Sequence, residues 1–93
     1  AEVAGADLGE DKFAQKVLRS FMEQGRLKEI PAQRKKRDIV LKWLVSHFET
    51  GRRYPETEVN EVIKRYHEDY ATLRREFIMT GLMNRAEGYY WRV

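Results

Sequence analysis

At Gly81 the hydrophobic period of this chain changes, and that change restricts the fold more than any other feature of its 93 residues. Before it, apolar residues recur at spacings of three and four: Phe13, Val17, Leu18 and Phe21; Val40, Leu41, Leu44 and Phe48; Val59, Val62, Ile63 and Tyr66; Tyr70, Leu73 and Phe77. Each set lines one face of an α-helix. After it, residues 82–85 and 89–93 flank Ala86-Glu87-Gly88, with Gly88 where a short hairpin loop needs positive φ. The run Tyr89-Tyr90-Trp91 alternates faces, as strand residues do. The chain is therefore expected to be mainly α with a small C-terminal β-hairpin.

The boundaries follow from local chemistry. Residues 1–10 are small and polar with two glycines, and a disordered tail is expected there. A leading helix is expected over 11–24, ended by Gly25. Residues 26–30 form a short connector. Pro31 suits the first position of a second helix over 31–48, where its fixed φ and missing N–H carry no penalty. Ile39 and Trp43 widen the apolar arc of that helix beyond a surface stripe, so it is expected to be buried on two sides. Thr50, Gly51, Arg52 and Arg53 read as a loop. Pro55 opens a third helix, with Glu56 and Glu58 complementing its dipole. A break follows at 67–69, with Asp69 as N-cap of a fourth helix over 70–80. Gly81 is its left-handed C-cap, with Leu82 packing back. Residues 11–93 are expected to form a single domain. The element order is that of a winged helix-turn-helix preceded by an extra N-terminal helix.

Composition narrows the function. No cysteine is present, so disulfides, thiol nucleophiles and cysteine metal sites are excluded. The histidines are His47 and His67 alone, without a clustered partner, and no metal site is expected. Ser20 and Ser46 stand in helical contexts without a base, and no phosphate loop or paired catalytic carboxylates are visible. An enzyme is not expected, nor a cofactor. No apolar run approaches the roughly 18 residues of a membrane span, and no signal peptide is visible. A cytoplasmic protein is the expectation. The chain begins at Ala1 without a Met, as a fragment of a longer protein would.

The net charge of +3 is uneven. Residues 1–25 carry −2 and residues 26–93 carry +5, and a basic body favours a polyanionic partner. With Leu73 and Phe77 facing inward, Ala71, Thr72, Arg75 and Met79 point away. Arg75 suits guanine or phosphate, and Thr72 suits phosphate or a thymine methyl. Arg74 is expected to be held by an acidic neighbour. Arg34, Lys35, Lys36 and Arg37 oppose the dipole of the second helix at about 0.3–1 kcal/mol each. Such a choice fits an anionic ligand, or cation stems laid over apolar surface. Arg85 and Arg92 flank the hairpin as phosphate contacts of a wing, and Arg52 and Arg53 form a further basic pair. Double-stranded DNA is the expected partner. Two alternatives remain: a protein-interaction module, for example a homodimer through the N-terminal helices, and RNA binding through the aromatic hairpin.

Three stretches carry a family resemblance: Gly25-Arg26-Leu27-Lys28-Glu29-Ile30-Pro31-Ala32-Gln33-Arg34-Lys35-Lys36-Arg37, His67-Glu68-Asp69-Tyr70-Ala71-Thr72-Leu73-Arg74-Arg75-Glu76, and Tyr90-Trp91-Arg92. Together they resemble a bacterial domain family of unknown function, found alone or at the C-terminal end of ArsR-type transcriptional regulators. The resemblance implies a winged-helix fold and a regulatory setting, and it brings no ligand or catalytic residue. The family favours a hydroxyl residue where Pro55 stands, so the start of the third helix departs from its pattern.

Overall fold

The computed structural model describes the backbone of residues 2–93 and the side chains of residues 12–93. The side chains of the tail expected over residues 1–10 lie outside the described residues; the backbone of residues 2–10 is part of the first helix, which begins ahead of its expected start at residue 11. Four helices and two small antiparallel sheets follow in the order α1 (Glu2–Phe21), β1 (Met22–Glu23), β2 (Arg26–Leu27), α2 (Arg34–Val45), β3 (Arg53–Pro55), α3 (Glu56–Lys64), α4 (Tyr70–Met79), β4 (Met83–Ala86) and β5 (Tyr89–Arg92). They divide into two compact units, residues 1–40 and 41–93.

In the first unit α1 ends at Phe21, short of the expected Gly25. Gln24 and Gly25 take φ of +52° and +79°. Two consecutive left-handed residues make the two-residue turn that matches strand twist. Met22 therefore pairs with Leu27 and Glu23 with Arg26. The Lys28 N–H donates to the Phe21 carbonyl at 2.8 Å, which ties the hairpin to the end of the helix. Gly25 is thus a hairpin residue and not a helix cap. Val17, Leu27 and Pro31 are buried. Pro31 precedes α2 by three residues and does not open it. The first turn of α2 is closed instead by the Arg37 N–H donating to the Gln33 carbonyl at 2.9 Å.

The second unit carries the larger core. Leu41, Leu44, Val45, Phe48, Tyr54, Val59, Ile63, Leu73, Phe77, Met83 and Tyr90 are all buried. Phe48 packs edge-on against Tyr54 and Phe77, with ring centroids 5.0 and 6.1 Å away. The expected extension of α2 to Phe48 fails because its last residues tighten. His47 and Phe48 donate to the Leu44 and Val45 carbonyls, three residues back.

The expected terminal hairpin is present and larger than expected. Its loop is Glu87-Gly88, at φ +54° and +83°, so Ala86 is a strand residue paired with Tyr89. A third strand joins it. β3 pairs with β5 in the register Arg53↔Trp91, Tyr54↔Tyr90, Pro55↔Tyr89, giving the order β3-β5-β4. Arg53 is therefore in a strand and not in the expected loop. Pro55 sits on an edge strand, where a missing N–H is tolerated.

Pro55 is also the N-cap residue of α3 and offers it no side-chain cap. The Glu56 N–H donates instead to the Gly88 carbonyl at 3.0 Å, so the hairpin turn caps the helix. Val59 and Ile63 of the expected stripe are buried, and Val62 and Tyr66 half-buried. The break at 67–69 and the cap of α4 are as expected. The Thr72 N–H donates to Asp69 Oδ1 at 3.3 Å, and the Asp69 N–H to His67 Nδ1 at 2.9 Å. At the far end Gly81 takes φ +77°. Its N–H reaches the Ile78 carbonyl and that of Leu82 reaches Phe77, the paired bonds of a Schellman motif.

Candidate nucleic-acid interface

α4 presents its outer face through the cap at Asp69 and the inward anchors Leu73 and Phe77. Ala71, Thr72, Arg75 and Met79 are exposed on it, as the 3.6-residue period requires. Among the described residues none accepts a hydrogen bond from the Arg75 guanidinium or pairs with it. Its neighbour Arg74 is held. Arg74 Nε lies 3.8 Å from Glu56 Oε1, and its Nη1 donates to Asn60 Oδ1. Two adjacent arginines thus have different tasks: one ties α4 to α3, and the other faces solvent with all its donors.

The hairpin arginines divide in the same way. Arg85 is exposed on β4, and its Nη1 donates to the Tyr90 hydroxyl at 3.4 Å. That hydroxyl donates in turn to Glu56 Oε1 at 2.9 Å. The Tyr90 hydrogen bond, aided by the Glu56 charge, raises the Arg85 pKa above the ordinary guanidinium value. A cleft of about 380 Å³ lies beside this relay, lined by Glu56, Arg85, Ala86, Glu87, Gly88 and Tyr90. Arg92 is half-buried, and its Nη1 donates to the Phe48 carbonyl at 3.2 Å. A cation beyond the end of α2 complements the dipole there, which gives Arg92 a structural task.

The basic segment at the start of α2 belongs to the first unit. Arg34 and Lys35 are exposed; Lys36 and Arg37 are half-buried. Lys35 Nζ stands 4.9 Å from the Phe13 ring centroid, and Arg37 Nη1 donates to the Ala32 carbonyl at 3.0 Å. Most of the +5 of residues 26–93 sits here, because residues 26–40 hold six cations and two anions. Residues 41–93, which contain α4 and the hairpin, hold nine cations and eight anions.

Sequence reasoning missed two features of the second unit. Glu56 joins α3, α4 and β5, and it had been assigned only a dipole role. The pair Arg52 and Arg53 is also resolved. Arg52 bonds Glu58 at 2.7 Å, whereas the Arg53 guanidinium lies 4.6 Å from the Trp91 ring centroid. Only the unexpected strand β3 could have placed Arg53 opposite Trp91. Trp43 is half-buried and meets His47 and Tyr66 at centroid distances of 4.6 and 5.2 Å.

Among the described residues no group of three or more possible metal-ligating side chains occurs, and no helix is long and apolar enough to cross a membrane. A family model described as "Uncharacterized protein conserved in bacteria (DUF2087)" matches residues 26–92. No curated protein and no solved structure matches the chain.

Proposed function

The chain belongs to the DUF2087 family of uncharacterized bacterial proteins, and we propose that it is a winged-helix domain that binds double-stranded DNA as part of a cytoplasmic transcriptional regulator. The observation that carries the reading is the outer face of α4. Arg75 stands there with no partner among the described residues, one turn beyond Ala71 and Thr72, on the helix that leads into the hairpin. In a major groove an arginine so placed pairs bidentately with guanine, and small methyl-bearing residues meet thymine. The run α2-β3-α3-α4-β4-β5, with β3 paired to the hairpin, supports the winged-helix assignment. In this reading Arg85 is the wing contact to the flanking phosphate.

Fluorescence anisotropy with random-sequence duplexes tests it. Binding weakens as salt rises, and Arg75→Ala costs about 1–3 kcal/mol on the preferred sequence while leaving the fold intact. A domain that binds no duplex at low ionic strength overturns the reading. Met79 is 70% exposed on the same face and favours a second reading, in which α4 docks a protein. Loss of a self-association or partner complex on Met79→Ala, in a domain that ignores DNA, selects that one.

A further inference from the structure

The face of the three-stranded sheet turned away from Tyr54, Met83 and Tyr90 has a chemistry of its own. Cross-strand partners share a face, and successive residues alternate. The register therefore places Arg53, Trp91 and Asn84 in one row across the sheet, and Pro55, Tyr89 and Ala86 in the next. On the opposite face Tyr54, Tyr90 and Met83 are 3%, 1% and 0% exposed, and Arg85, paired with Tyr90, is exposed. On the outward face Tyr89 is 47% exposed, Trp91 half-buried, and Arg53, Pro55, Asn84 and Ala86 exposed. None of the six is acidic, in a unit with nearly as many anions as cations. Among the described residues Arg53 has no carboxylate partner. Its guanidinium is laid against the Trp91 ring, which holds a fixed cation at the sheet surface.

We propose that this face binds single-stranded nucleic acid. Tyr89 and Trp91 stand two residues apart on one strand, about 6.6–6.8 Å, so Tyr89 stacks one base and Trp91, with Arg53 over its ring, backs the neighbouring position. Arg53 meets the phosphate between them, and Asn84 supplies donors and an acceptor to a base edge. Aromatic stacking reaches bases only where they are unpaired, so the ligand is a single strand. The surface is separate from the duplex site on α4 and uses none of its residues.

The test uses the whole chain with fluorescein-labelled dT15 and rU15 at low salt. Both are bound, or rU15 alone if the 2′-hydroxyl is read, and saturation quenches tryptophan emission. Tyr89→Ala, a change at a half-exposed side chain, weakens binding about tenfold. Arg53→Gln lowers the log–log salt slope by about one unit. Arg75→Ala leaves single-strand affinity unchanged, so failure here and failure of the duplex reading are separate outcomes. The proposal is overturned if neither oligomer binds, if Tyr89→Ala binds like the parent, or if that variant instead breaks up a dimer of the chain.

Discussion

Gln24 and Glu87 each precede a glycine, and each holds a left-handed backbone. That conformation costs an ordinary L-residue roughly 1–2 kcal/mol, and asparagine tolerates it far better. The Glu87 side chain accepts no hydrogen bond that offsets the strain among the described residues. Glu87→Asn creates the preferred dipeptide for this turn and is expected to stabilise the chain by about 0.5–1 kcal/mol. Thermal denaturation checks it, as a rise of roughly 2–8 °C. The two turns also separate what a sequence displays from what it hides. Gly88 lies between two evident strands, so its turn was readable. Gly25 ends a helical run, and positive φ suits a helix cap as well as a hairpin, so the residue alone does not distinguish them.

The elements differ in how locally they are specified. α4 was readable to within a residue because its signals lie inside it: Asp69 before, Leu73 and Phe77 within, Gly81 after. Asp69→Ala removes the side-chain cap and should cost about 0.5–2 kcal/mol, seen as a lower midpoint in urea with an unchanged slope. β3 was not readable. Three residues do not establish a period of two, and its pairing with β5 is made across more than thirty positions of sequence. With β3 missing, the Arg53–Trp91 row was missing too. α2 was shortened at both ends by bonds that need no special residue, such as Arg37 N–H to Gln33 and Phe48 N–H to Val45. The arginines Arg74 and Arg92 illustrate the same limit: their carboxylate, amide and carbonyl partners come from other elements.

For the whole molecule, charge sets the scale of any polyanion binding. Residues 41–93 are close to balanced, and several of their cations are committed within the protein: Arg52 to Glu58, Arg74 to Glu56, Arg92 to Phe48. Few cations therefore remain to neutralise phosphates. Duplex affinity is expected to fall with salt at a log–log slope of about −2 to −4, well short of the roughly −10 of a large repressor. A titration between 50 and 200 mM salt measures it, and a steeper slope means that contacts beyond the free cations named above take part. The Gly88 carbonyl that accepts the Glu56 N–H adds a further consequence. Whatever lifts the hairpin turn uncovers the first amide of α3 at the same moment. The tip of the sheet and the root of that helix thus share one opening rate, and a ligand that clamps the hairpin slows hydrogen exchange at the start of α3 without touching it.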